Sequence, residues 1–160
     1  MLERFAFLSQ RLLGQTLAAL LAAIVLTVIW QVLCRYLFNS PSTVSEEIAR
    51  FLLIWIGLLG ATYAYMTNAH IGMDFLVNKL RPTQQYHAKL LGHLCGLFFA
   101  SCVLLLGGLN LVDLTLNPVQ RSAALGIKMA YIYAVLPISG LLMSIAALAH
   151  IHRCIDSRRH

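Results

Sequence analysis

The sequence predicts an all-α membrane protein built as a bundle of four transmembrane helices, and two observations carry that prediction. The 160 residues are 59% hydrophobic and 11% charged, with a mean hydropathy of +0.76, which lies outside the range of soluble domains. The 12 Lys and Arg and the 6 Asp and Glu all fall outside four stretches, 12–34, 51–73, 90–112 and 129–152, of 23, 23, 23 and 24 residues. About 20 apolar residues rising about 1.5 Å each cover the roughly 30 Å of bilayer hydrocarbon, so each stretch is long enough to cross. The remainder is divided among two tails and three connections. The expectation is a single integral membrane domain over 1–160 with no soluble catalytic module, and therefore not an enzyme.

The first span, 12–34, is preceded by Leu2, Phe5, Leu8 and Leu12, spaced about one helical turn apart, with Glu3, Arg4, Gln10 and Arg11 between them. Two readings stay open: a short N-terminal helix lying in the membrane interface, or the frayed start of a tilted first span. A cleavable signal peptide is the confounder, because Arg4 and Arg11 precede Ala18, Ala19, Ala22 and Ala23. The apolar run continues through Trp30 to Cys34, longer than a cleavable apolar region, and is read as an anchor.

The connection 35–50, RYLFNSPSTVSEEIAR, is the most informative stretch. Asn39, Ser40 and Pro41 break the helix. Thr43 followed three residues later by Glu46 predicts a capping box opening the second helix. Glu46 and Glu47 lie where the positive end of the helix dipole favours anions. Arg50 is four residues after Glu46 and three after Glu47, so one ion pair is expected on that face. It lowers the cost of an arginine entering the membrane, about 2.5–3.5 kcal/mol near a span centre. The second connection, 74–89, carries Asp74, three cations and Pro82 and reads as a polar hairpin or short surface helices. The third, 113–128, contains Asp113, Asn117, Pro118, Arg121, Gly126 and Lys128.

Small residues recur on every span, mostly four apart, which places them on one helix face where a second backbone can approach. They are Ala18 with Ala22 and Ala19 with Ala23; Gly57 with Ala61 and Gly60 with Ala64; Gly92, Gly96 and Ala100; and Gly140, Ser144 and Ala147. Internal packing of the bundle accounts for most of these seams, and one left over would dock a partner. Pro137 removes a backbone donor inside the fourth span and is expected to kink it.

The formal charge of +6 is spread over short loops beside membrane spans, so it reads as a topology signal and not as a nucleic-acid surface. The tails and the second connection hold eight Lys and Arg, the first and third connections four. Both termini should therefore be cytoplasmic. None of the four runs holds an acid, a lysine or an arginine, whereas ion-coupled carriers and channels usually keep such a group near mid-membrane. There is also no internal repeat, the signature of a self-sufficient secondary transporter. The substrate path is therefore placed outside this chain.

Cys34, Cys95, Cys102 and Cys154 show no metal or disulfide spacing and read as packing residues. His70, His93, His150 and His152 gather toward one leaflet in the proposed topology, and a haem ligated by two of them, as in four-helix membrane cytochromes, is the rival chemistry. Three of the four lie at span ends, where an imidazole sits comfortably among headgroups, so the interfacial reading is preferred and no cofactor is assigned.

At RYLFNSP, SEEIARFLLIWIGLLGA and NAHIGMDFLV, and again at AVLPISGLLMSI, the chain resembles the small membrane subunit of tripartite ATP-independent periplasmic (TRAP) transporters, the DctQ-like family. The resemblance covers most of the chain and rests on Arg35, Asn39, Pro41, Glu47, Arg50, Gly60 and His70 set around two spans. Where the family has a tryptophan just before the acidic pair, this chain has Val44. The resemblance implies a bacterial inner-membrane protein with four transmembrane helices and both ends cytoplasmic. It further implies a sodium-driven system for organic acids. A large DctM-like membrane subunit would carry the sodium sites, a DctP-like periplasmic protein would capture substrate, and this chain would be a fixed scaffold. The residues expected to matter structurally or at subunit interfaces are Arg35, Asn39, Pro41, Glu46, Glu47, Arg50, Gly60, His70, Gly92, Gly96, Pro137 and Gly140. The competing functions are the haem-binding redox subunit and, third, a free-standing small drug exporter, which would need an acid within a span.

Overall fold

The computed structural model describes residues 2–37, 39, 40, 42–67 and 82–156. Every regular element among them is helical: α1 (Leu2–Leu37), α2 (Thr43–Met66), α3 (Pro82–Phe98), a π-helical stretch (Phe99–Gly107), α4 (Gly108–Leu116), α5 (Met129–Tyr133) and α6 (Val135–Asp156). The third span is one rod in which α3, the π-helical stretch and α4 follow without a break, and the fourth joins α5 to α6. Four helical segments, Ser9–Leu37, Thr43–Met66, Gln85–Leu116 and Met129–Asp156, are long and apolar enough to cross a membrane. The expected four-span all-α architecture is therefore the observed one.

Of the two readings of the N-terminus, the structure has the continuous one. α1 runs unbroken for 36 residues, about 54 Å at about 1.5 Å per residue, so it exceeds the roughly 30 Å hydrocarbon layer and overhangs it. It ends where Asn39 takes a left-handed backbone conformation, φ 48°, which Asn tolerates better than most residues. The Ser40 N–H then closes on the Cys34 carbonyl at 3.2 Å.

The predicted capping box is displaced. The N-cap of α2 is Ser42, whose hydroxyl accepts from the Ser45 N–H at 3.4 Å, while the Ser45 hydroxyl donates to the Ser42 carbonyl at 3.0 Å. Thr43 is already helical, so its side chain no longer reaches the free N–H groups that a cap must satisfy. α2 ends at Met66, and the Thr67 N–H bonds the Tyr63 carbonyl at 3.0 Å. Residues 68–73 of the expected second span, with His70, lie outside the described residues, as does Pro41.

α6 is the hub: it touches each of the other three spans, whereas α1 packs chiefly along α2. About a third (33%) of the fourth span is buried in the chain against 11% of the first. The core formed by Leu13, Leu17, Leu59 and Val135 joins α1, α2 and α6. Gly140 explains the intimacy of α6 with the third span. A Cβ there would lie 2.6 Å from the Leu105 nitrogen and 2.9 Å from the Leu104 carbonyl carbon, so backbone meets backbone as small-residue packing allows. Gly108, which the sequence reading passed over, has the same role: its Cβ would meet Leu136 at 2.8 Å and Pro137 at 2.9 Å. Pro137 interrupts the fourth span as expected. The break between α5 and α6 falls at Ala134, next to Tyr133, whose carbonyl a non-proline residue at 137 would have engaged.

Candidate functional site

Two polar assemblies sit at opposite ends of the bundle. At the first, the chain between α4 and α5 folds into a tight hairpin. Arg121 and Lys128 pair as an antiparallel bridge, Ser122 N–H donates to the Ile127 carbonyl at 2.8 Å, and Met129 N–H donates to the Gln120 carbonyl at 3.0 Å. Gly126, with φ 67°, makes the turn that most side chains would strain. The tip points its backbone donors at Glu47, on the first turns of α2. One carboxylate oxygen, Oε2, accepts from Ala124 N–H at 3.0 Å and Leu125 N–H at 2.9 Å, and the Ser122 hydroxyl also bonds this carboxylate. Hydrogen bonds to an ionised acceptor are the stronger kind. Glu47 thus ties two segments 77 and 78 residues apart in sequence.

The sequence left open which acid pairs with Arg50, and the structure answers it. Glu46 is the partner, at 3.9 Å, with the two side chains 48% and 76% exposed. Glu47 is turned to the hairpin instead. Of the two acids the spacing allowed, the one three positions from Arg50 is taken by backbone N–H groups brought in by the fold. Gln31 of α1 completes this end by donating to the Ser45 carbonyl at 2.7 Å. Sequence reasoning missed it, although a glutamine one turn before Arg35 in an apolar run was the available signal. Arg35 sits in the last turn of α1, where a cation suits the helix dipole.

At the other end Tyr65 of α2, His93 of α3 and His150 of α6 converge. The Tyr65 hydroxyl and His93 Nδ1 are 3.2 Å apart. The two imidazoles stack with centroids at 5.2 Å and an interplanar angle of 11°, and Tyr65 lies edge-on to His150 at 5.7 Å. His150 is buried, whereas His152 is exposed. Gly96, one turn after His93, makes room, since a Cβ there would lie 2.9 Å from the Tyr65 hydroxyl oxygen. The imidazoles face one another instead of flanking a gap for a macrocycle. The arrangement is a packed joint of three helices, and it gives the haem reading no support. Among the described residues no group of three or more His, Cys, Asp or Glu is placed to hold a metal ion.

The small-residue seams divide. Gly96 and Gly140 face neighbours at contact distance, Gly60 only reaches Leu17 at 4.0 Å, and Gly57 has nothing within 4 Å. Gly92 is half-buried on α3, and Ala18, Ala19, Ala22 and Ala61 are exposed. Within the spans the buried hydroxyls bond their own helices: Thr62 to the Leu58 carbonyl at 3.0 Å and Ser139 to the Leu136 carbonyl at 2.8 Å.

A family model described as tripartite ATP-independent periplasmic transporters, DctQ component, matches residues 24–157. The chain is 32% identical over 126 residues to a TRAP transporter small permease protein of Haemophilus influenzae, covering 79% of this chain and 76% of that protein. It is 29% identical over 129 residues to the sialic acid TRAP transporter small permease protein SiaQ of Vibrio cholerae, 78% of this chain and 70% of that protein. It is also 32% identical over 117 residues to the sialic acid TRAP transporter permease protein SiaT of Haemophilus influenzae, where 71% of this chain matches 18% of that longer protein. With the matched region running from within the first span to the end of the fourth and taking in both polar ends, the chain belongs to the DctQ family of TRAP transporter small permease subunits.

Proposed function

We propose that this subunit is the non-catalytic scaffold of a sodium-driven importer of an organic acid in the bacterial inner membrane. A large membrane subunit would move the substrate and a periplasmic binding protein would deliver it. The observation that carries the reading is the match to a longer permease: a segment like this chain makes up 18% of SiaT, which fits a small unit working beside a larger membrane body. The chemistry of the spans supports it. They carry no acid, lysine or arginine in the four runs, and the buried hydroxyls Thr62 and Ser139 bond their own helices, so among the described residues no buried polar side chain is left unsatisfied to take up a substrate.

In this reading both termini are cytoplasmic, residues 35–47 and 113–128 face the periplasm, and 74–89 the cytoplasm. A cysteine placed at Gln84, in a background lacking the four native cysteines, should resist an impermeant reagent in intact cells. Labelling there would reject the orientation. The scaffold role is tested by expression with and without the large subunit. Alone, the chain should insert and transport nothing; together, the two should co-purify and support sodium-dependent uptake. Uptake by this chain alone would overturn the reading.

A further inference from the structure

The corner between the end of α1 and the start of α2 holds a cavity of about 200 Å³ lined by Gln31, Val32, Arg35, Tyr36, Ser42 and Glu46. Its depth in the membrane follows from the sequence. Arg35 and Tyr36 directly succeed the charge-free run 12–34, the level at which arginine and tyrosine meet lipid headgroups. Two of the polar linings are already engaged, Gln31 with the Ser45 carbonyl and the Ser42 hydroxyl with the Ser45 N–H. That leaves the Arg35 guanidinium, the Tyr36 hydroxyl and the Glu46 carboxylate to meet a ligand, and of these the first and last carry charge. Among the described residues the ion pair is Glu46 with Arg50, and Arg35 has no carboxylate. The Glu46 contact is long, 3.9 Å, so that carboxylate keeps acceptor capacity.

A guanidinium matches a phosphate with paired N–H donors, and basic pockets between transmembrane helices bind lipid headgroups. Glu46 narrows the choice. A headgroup with negative charge only sets its phosphate beside this carboxylate and offers it no donor, and a quaternary choline has no N–H to donate. A zwitterion with a primary ammonium satisfies both ends. Val32 gives the cavity an apolar wall, and the exposed Ile29 and Leu33 continue down α1 where acyl chains would lie. We propose that this cavity binds the headgroup of a phosphatidylethanolamine-type lipid, with the phosphate on Arg35 and the ammonium on Glu46. The proposal is independent of the transport reading.

The full chain, reconstituted in nanodiscs of equal parts phosphatidylethanolamine, phosphatidylcholine and phosphatidylglycerol, can be released into native mass spectrometry to count retained lipids. One phosphatidylethanolamine per chain is expected, enriched severalfold over the other two. Arg35→Gln should abolish that retention. Glu46→Gln should keep a lipid but lose the preference over phosphatidylglycerol. Equal retention of the three headgroups by the unchanged chain, or undiminished enrichment in Arg35→Gln, would overturn the proposal. Competition on the unchanged chain does not depend on either variant folding. Soluble phosphoethanolamine should displace the lipid better than inorganic phosphate does, and equal displacement by the two would mean that only the phosphate is recognised, which would overturn the assignment of the ammonium to Glu46.

Discussion

Gly140 on α6 and Gly57 on α2 stand in the same sequence pattern, each four residues before a small residue, yet the fold treats them oppositely. A side chain at 140 would enter the backbone of the third span at 2.6 Å, while one at 57 would meet nothing within 4 Å. The contrast extends along their helices. The fourth span is 33% buried inside the chain and the second 11%, and Leu53, one turn before Gly57, is 58% exposed. Lipid is as apolar as a leucine face, so exposure alone identifies no partner. Close packing of small residues is what drives helices together in a bilayer. The difference separates a seam used to hold the subunit together from one that this chain leaves unfilled.

The largest expected effect comes from closing the used seam. Gly140→Leu forces α6 away from Leu104 and Leu105, and overpacking of this kind costs about 1–3 kcal/mol or more. Thermal unfolding in detergent should show a drop of several degrees, and an unchanged transition would break the comparison. Gly96→Leu should come next, because Tyr65 can swing aside where backbone cannot. Its sharper readout is the loss of the Tyr65–His93 contact, seen as altered tyrosine fluorescence.

Glu46 and Glu47 repeat the contrast one residue apart. Glu47→Ala should free the hairpin tip by removing the acceptor, and amide exchange at Ala124 and Leu125 should speed about tenfold while the spans stay protected. Protection unchanged at both amides would mean that the clasp holds nothing. Gly57→Leu should leave the stability of the isolated chain within about 0.5 kcal/mol and, in the scaffold reading, weaken co-purification with the large subunit. The smallest effect is expected of Arg50→Glu on the chain alone, since an exposed pair contributes about 0.2–1 kcal/mol. Adding Glu46→Arg should restore that small loss, whereas adding Glu47→Arg should not. Rescue by the second combination instead of the first would assign Arg50 to the wrong acid.

The sequence by itself determined the number of helices able to span a membrane, the break at Asn39 and the interruption of the fourth span before Pro137. Each depends on local physics: transfer of apolar residues into lipid, backbone preference at one position, or a missing donor. Sequence spacing also led to the wrong cap, Thr43 for Ser42, because a one-residue shift of a helix start changes which hydroxyl faces the free N–H groups. Only the tertiary structure decided that Glu47 grips a hairpin 77 residues away, that His93 and His150 stack on each other, and which glycine seams are filled. A carboxylate takes whichever donors are brought nearest, and a glycine is close-packed only if another backbone arrives. Both outcomes depend on how the helices are placed around α6, which no spacing along a single helix encodes.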